Sequence, residues 1–473
     1  MSLGEDKRPN ILLITIDSLR ADHICCLGYQ RGNTPNIDGI AKEGCLFSET
    51  IANGPSTPYS FRSILCSVYP LMGMDRFGYK LPKQAITVAE ALKKYGYASA
   101  AFHTNPYICK IFGWDRGFDL FKDFFDINIY SDVKSKIKGR IKRLLGGTRN
   151  YRLYEEIARI YRQLHSLIYK KYKNLPSSAG AHEINKNALY WLKRHKSGSF
   201  LWLHYMETHY PYIHIPSLPN SYKLKIMNIL SKFNLPESVS GEDIQNVIKA
   251  YDAAIMYVDY KIGELINELK EMDIYDNTYI IITADHGEEF KEHGEFIHLP
   301  KLYDELLHVP LIIKGPKIPD GIIIRKQVSL LDIAPTIIDL LSLPKVKKFE
   351  GESLYPLMIG YTEKYKRDFV ISECFHRGGK PLDAYGMRGE PLIKYGKRRV
   401  SIRTAREKLI YDEERGCFEF YDLEEDPNET RNIYMNREKR IRKLKEILKI
   451  HIIRGKEMER EIIREKIRKL REK

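Results

Sequence analysis

The stretch Asn10–Asp17, NILLITID, is an unbroken apolar and β-branched run closed by a carboxylate. It lacks the polar–apolar alternation of a strand with one wet face, so it reads as a strand buried on both faces, as in a parallel sheet. Ala98–His103, Phe200–His204, Tyr279–Thr283 and Val309–Ile313 share this texture. Helical patterns at Val88–Tyr95, Glu183–Lys193, Ile244–Met272 and Leu331–Leu341 alternate with them. That alternation predicts an α/β fold, a doubly wound and mostly parallel sheet flanked by helices. Chemistry in such sheets collects past the carboxyl ends of the strands. Asp17, His204 and Asp285 therefore fall at one rim.

From about Asp368 the texture changes to short strands at Phe369–Ser372, Arg399–Arg403, Lys408–Tyr411 and Phe418–Tyr421, separated by Gly or charged turns. They predict a small antiparallel sheet. Beyond Asn436, Ile441, Leu444, Leu448 and Ile452 form one stripe of a long helix that Gly455 interrupts. The expected organisation is a catalytic α/β domain at 8–365 with a basic helical insertion at 131–175. A small C-terminal subdomain follows at 366–435, then a basic helical tail at 436–473.

The chain has 473 residues, and its hydrophobic content of 43% can fill a sizeable core, which excludes wholesale disorder. Its formal charge of +15 raises the question of a polyanionic partner. The excess is local. Lys134–Lys173 carries a net +11 and Arg437–Lys473 a net +9, so the remaining body is mildly acidic. Nucleic acid is not an expected partner. The two basic stretches read either as solvated helical faces or as a peripheral contact for anionic surfaces, and the apolar stripe of the tail either packs on the body or pairs two subunits. The seven cysteines are odd in number, two are adjacent and none forms a CxxC pair. This argues against a disulfide framework or a cysteine zinc site. The N-terminus lacks the apolar core of a signal peptide and no run of 18 apolar residues occurs, so the expected location is cytoplasmic.

Four groups of residues can carry chemistry. Asp17 ends a strand and reads either as a hard-metal ligand or as a helix N-cap. Asp285 and His286 end another strand in ITADHGEEFKEHGEF, where mixed oxygen and imidazole donors suit Mn, Zn or Fe, with Ca and Mg also open. Half of the 14 histidines lie between His204 and His308. His204 and His209, in HYMETHYP, and His293 and His298 fit recognition of an oxyanion or protonation of a leaving group. Ser56 and Thr57, in GPSTPYSFRSILCSVYP, precede a helix expected at Ser60–Cys66. A hydroxyl there meets backbone N–H groups and the positive end of the dipole, or is an ordinary cap.

Together these segments resemble the sulfatase family, within the alkaline-phosphatase-like superfamily of metal-dependent ester hydrolases. The matching pieces run in order along nearly the whole chain: PNILLITIDSLRADHICCLGY, TPNIDGIAKEGCLFSETIANGPSTPYSFRSILCSVYP, GWDRGFDLF, FLWLHYMETHYPY, TADHGEEFKEHGEF, LYDELLHVPLII and YDLEEDPNETRNIY. The resemblance implies one divalent cation (Ca, Mn, Mg or Zn) held by Asp17, Asp285 and His286, with the nucleophile completing the coordination. It implies His209 and His204 around the ester oxyanion, with His298 or Lys301 on the other side. The substrate would be a small-molecule or polymer-borne anionic ester.

The nucleophile motif departs from the family. Its members carry C-x-P-S-R, or Ser in place of Cys, and oxidise that residue to formylglycine. Counting back from Tyr69–Pro70 aligns Thr57 with the nucleophile and Phe61 with Arg. The register Ser56–Thr57–Pro58 keeps S-x-P instead, and Arg62 then lies two residues late. Thr57 is favoured, with Ser56 second. A formylglycine hydrate sheds sulfate by collapsing to an aldehyde, an exit that threonine lacks, whereas a phosphothreonine is hydrolysed at phosphorus. The expectation is a hydrolase of sulfate or phosphate esters with phosphoesters favoured. The alternatives are a phospho-group transferase and a non-catalytic anion-binding homologue.

Overall fold

The computed structural model describes residues 8–72, 80–124, 180–233, 236–377, 395–436 and 438–471, and the expected insertion at 131–175 lies outside the described residues. The central sheet comprises β1 (Asn10–Ile16), β2 (Cys45–Ile51), β3 (Ala98–His103), β4 (Leu120–Lys122), β5 (Ser199–Tyr205), β6 (Thr278–Ala284), β9 (His308–Lys314), β10 (Ile322–Ile324) and β11 (Val328–Ser329). Between β6 and β9 lies a two-stranded ribbon, β7 (Glu289–Phe290) and β8 (Phe296–Ile297). Among the described residues the central sheet has nine strands, ordered β10–β2–β9–β6–β1–β5–β3–β4, with β11 beside β2. Every residue of β1 is buried, as its unbroken apolar run requires. Its parallel neighbours set Thr15 beside His204 of β5 and Thr283 of β6. The ends of β1, β5 and β6 therefore open onto one rim.

One strand of the predicted set runs the other way. β9 is antiparallel to both β2 and β6. No helical crossover joins β6 to β9. The chain from Asp285 to Leu307 stays at the rim where β6 ends, so the next strand starts there and runs back. A run buried on both faces looks the same in either direction, which is why its sequence gives no sign of the reversal.

Two helical groups flank the sheet. α1 (Pro35–Lys42), α4 (Ala181–Leu192) and α5 (Asn220–Leu230) pack on α6 (Gly241–Glu271), while α2 (Thr57–Cys66), α3 (Val88–Lys93) and α7 (Ile333–Leu340) pack together. α6 starts at a capping box in which Ser240 accepts from the Asp243 N–H and the Asp243 carboxylate reciprocates. It buries Val247, Tyr251, Ile255, Val258, Ile262 and Leu269 along one stripe. α2 begins three residues earlier than the pattern predicts, at Thr57. Pro58 is tolerated there because a first-turn N–H has no helical partner to lose.

The C-terminal sheet, β12 (Val370–Arg377), β13 (Tyr395–Arg403), β14 (Glu407–Asp412) and β15 (Cys417–Asp422), is antiparallel in that order. α8 (Glu438–Arg471) lies on it, burying Ile441, Leu444 and Leu448 against Val400, Ile402, Leu409 and Phe420. Gly455 does not interrupt α8, contrary to expectation. A Cβ there would stand 2.5 Å from Nη1 of Arg398. The glycine lets the helix approach this buried guanidinium, and the packing outweighs its poor helical propensity.

β12 also holds the loop that leads into α2. The Glu373 N–H donates to the Asn53 carbonyl at 2.8 Å, Asn53 Nδ2 donates to the Ile371 carbonyl at 2.9 Å and Ser372 Oγ donates to the Ala52 carbonyl at 2.6 Å. The Glu373 side chain accepts from the Leu71 N–H at 2.7 Å and pairs with His451 Nε2 of α8 at 2.9 Å. Among the described residues no helix is long and apolar enough to cross a membrane.

Candidate active site

The rim gathers side chains from five segments. Asp17 follows β1 and is fully buried. Its Oδ1 accepts from Ser18 Oγ at 2.8 Å, and its Oδ2 accepts from Asn105 Nδ2 at 2.9 Å and from Thr57 Oγ1 at 3.3 Å. Asp285 and His286 follow β6, also fully buried. Asp285 Oδ1 accepts from the Ser18 N–H at 3.2 Å and from the His286 N–H at 3.0 Å. Thr57 is the first residue of α2, and its Oγ1 lies 3.4 Å from His286 Nε2. Ser56 is the extended residue ahead of the helix and its side chain makes no cap bond. Thr57, and not Ser56, thus brings its hydroxyl to the two strand ends.

The arrangement fits a divalent cation. One carboxylate oxygen each from Asp17 and Asp285 and a ring nitrogen of His286 all lie within 4.8 Å of one another. Asp285 Oδ2 is buried and has no hydrogen-bond partner, a costly state unless something else satisfies it. His286 Nδ1 faces the Gly287 carbonyl at 2.9 Å. A carbonyl only accepts, so Nδ1 carries the hydrogen and Nε2 keeps its lone pair toward the carboxylates. The charges agree. Burial would raise Asp17, but His209, His204 and His286 together outweigh it and hold Asp17 well below the usual carboxylate range. Burial, then the charge of Asp17, pushes Asp285 well above that range. Burial, then the neighbouring His298, lowers His286 to about 3, which leaves a neutral imidazole. The pair of carboxylates resists ionising together unless positive charge is supplied between them.

The remaining predicted residues sort clearly. His204 Nε2 stands 3.3 Å from Asp17 Oδ2, and its Nδ1 faces Thr15 Oγ1 at 3.0 Å. The His298 ring lies between those of His286 and His209, at centroid separations of 4.5 and 5.0 Å. His209 Nδ1 donates to the Tyr210 carbonyl at 2.7 Å. His298 Nδ1 pairs with Glu288 Oε1 at 2.9 Å. Lys301 is not brought to the cluster. Its ammonium is held by both oxygens of Glu289, each at 2.8 Å, and by the His293 carbonyl at 2.9 Å. His293 is likewise engaged elsewhere, on Glu305 and the Glu429 carbonyl.

Two residues at the site escape sequence reasoning. Asn105, just past β3, donates to Asp17 and lies 3.4 Å from Thr57 Oγ1. The signal was the rim itself, since the end of β3 lies beside that of β5. Glu288, buried next to the Asp-His pair, accepts from Tyr212 as well as facing His298, and burial raises it to about 7. Phe61 stands where the family pattern places Arg and meets the edge of the His204 ring at 4.9 Å. Arg62 turns the other way, donating to the carbonyls of Pro70 and Lys80, each at 2.8 Å.

Comparison with known proteins places these features in a wider set. The model of the Sulfatase family matches residues 9–343, and that of the N-sulphoglucosamine sulphohydrolase C-terminal region matches residues 291–457. Arylsulfatase K of Gallus gallus is 23% identical over 473 residues, spanning 93% of this chain and 82% of the relative. The phosphonate monoester hydrolase of Agrobacterium radiobacter superposes with a TM-score of 0.69 at 20% identity, over 95% of this chain and 96% of that one. A protein solved with its substrate D-glucosamine-2-N,6-O-disulfate superposes with a TM-score of 0.67 at 19% identity, over 95% and 99% of the two chains. The two structural matches establish the shared fold.

Proposed function

The chain belongs to the sulfatase family of ester hydrolases, and on that premise we propose that it hydrolyses phosphate esters through a phosphorylated Thr57. The observation that carries this reading is the position of Thr57 Oγ1, 3.3 Å from Asp17 Oδ2 and 3.4 Å from His286 Nε2. Thr57, whose hydroxyl reaches Asp17 and His286, is neither Cys nor Ser, so formylglycine chemistry has no starting point at that position. A sulfated threonine would have no aldehyde route of release, whereas a phosphothreonine is open to water at phosphorus.

Asp17, Asp285 and His286 would hold one divalent cation, and a donor set of two carboxylates and an imidazole would suit Mn or Zn. When bound, that cation lowers the pKa of the nucleophile's hydroxyl and neutralises charge on the substrate's nonbridging oxygens. The side chains do the rest. Thr57, its proton lost to solvent, attacks in line. A bond forms from Oγ to phosphorus as the ester bond breaks. A histidine of the group His204, His209 and His298 gives a proton to the departing oxygen. Water then attacks phosphorus, releasing phosphate and restoring Thr57. His209 and His298 lie on the side open to substrate, for His209 is only half-buried.

The test is turnover of 4-nitrophenyl sulfate, 4-nitrophenyl phosphate and the matched phosphodiester, each with Mn, Zn, Mg and Ca. Metal-dependent phosphoester turnover is expected, falling by at least about 10³-fold in Thr57→Ala. A phosphoryl mass increment on the Thr57 peptide after rapid acid quench should accompany it. Loss of turnover in Ser56→Ala but not in Thr57→Ala would overturn the assignment, as would turnover confined to the sulfate ester.

A further inference from the structure

Asn105 is buried, and both ends of its carboxamide are committed. Oδ1 accepts from the Tyr107 N–H at 2.9 Å, capping the short turn Pro106–Ile108. The backbone N–H of Asn105 donates to His103 Nδ1 at 3.2 Å, fixing the residue from behind. These bonds decide which way the amide faces. Reversed, it would set Oδ1 against Asp17 Oδ2 and its own N–H groups against that of Tyr107. Nδ2 is therefore the end that meets the cluster, 2.9 Å from Asp17 Oδ2 and 3.4 Å from Thr57 Oγ1. Met206 Sδ at 3.3 Å and His204 Nε2 at 3.5 Å complete its surroundings. Nδ2 has two hydrogens. One serves Asp17, and the other has Thr57 Oγ1, Met206 Sδ and His204 Nε2 within reach.

The geometry points to Asn105 as a catalytic residue that donates a hydrogen bond from Nδ2 to Thr57 Oγ and so orients and stabilises the nucleophile as it becomes charged. This rests on the Thr57 reading above. Asn105 is uncharged, so it gives a directed donor without adding a cation beside the metal ligands. It moves no proton: the Oγ–phosphorus bond forms and the ester bond breaks as before, with the amide intact throughout. Phe61 packs on His204 where the family pattern has Arg, so no guanidinium enters from that position. A preorganised donor in a buried site acts where charge develops and needs no reorganisation during reaction.

The test compares Asn105→Asp and Asn105→Ala in the metal-loaded enzyme with 4-nitrophenyl phosphate. Asn105→Asp keeps an oxygen for the Tyr107 N–H and removes the donor; Asn105→Ala removes both. A donor role predicts that kcat falls about 10²–10³-fold in each variant with KM little changed. A merely structural role predicts that both variants lose melting temperature or metal affinity while the folded, metal-saturated Asn105→Ala protein keeps its kcat, and that result overturns the proposal. So does either folded variant that keeps kcat within about threefold of wild type, a change well under 1 kcal/mol. Wild-type protein crystallised with vanadate needs no variant: Nδ2 should lie within hydrogen-bond reach of Thr57 Oγ or the oxygen bound to it, and an amide turned away sinks the idea. Failure of the Thr57 reading is separable, because it would show as turnover surviving in Thr57→Ala.

Discussion

Asp285 carries the electrostatic problem of the site. Burial and the charge of Asp17 push its carboxyl well up, so without a cation the folded protein holds a proton there that the unfolded chain would release. The sign follows. This group's contribution to stability is full below about pH 4, the unfolded value, and is lost as pH rises through the raised folded value. Metal-free protein should therefore melt at progressively lower temperature as pH rises from about 4, and Asp285→Asn should flatten that part of the profile. A divalent cation should stabilise the wild type by about 2.7 kcal/mol at a hundredfold excess over Kd, raising its midpoint, and leave Asp285→Asn unmoved. A midpoint flat with pH and indifferent to metal would contradict both statements. Asp17, Asp285 and His286 were legible because they follow strand ends at one rim, whereas Thr57 is reached by counting back from Tyr69–Pro70 in the family pattern. Asn105 was not, because an asparagine in HTNP reads as a turn residue until β3 is seen beside β5. The family resemblance offers Lys301 as an alternative to His298, but the buried Glu289 holds its ammonium instead.

The apolar runs and the 3.6-residue stripes disclosed most elements. Direction and depth were hidden, since they depend on where the chain comes from. β9 reverses because the preceding loop never leaves the rim, and α2 starts at Thr57 because Pro58 costs nothing in a first turn. α8 shows the same limit. Its glycine looks like a break by propensity and is a point of close approach by packing. The helix is held by its buried stripe, so Leu448→Ala, at a position only 1% exposed, should cost about 2–5 kcal/mol in chemical denaturation. A loss under about 0.5 kcal/mol, typical of a surface site, would mean that α8 is not docked as described.

Across the whole molecule, the charge of +15 and the chemistry occupy different places. The body around Asp17 and Asp285 is mildly acidic, while α8 displays exposed Lys443, Lys449 and Arg460. Retention on an immobilised polyanion should thus fall in the variant Lys443→Glu/Lys449→Glu while kcat/KM for a small ester is unchanged. Parallel losses in both would place the tail in the reaction. The clasp of β12 on Ala52 and Asn53 has a further consequence, for the modularity of the chain. The C-terminal sheet looks like an accessory that could be shed or exchanged. Its first strand supplies hydrogen bonds to Ala52 and Asn53 on the approach to Thr57, so the catalytic half does not hold that approach by itself. A fragment ending before β12 would be an unfinished enzyme, and recombination between relatives would have to carry both halves together.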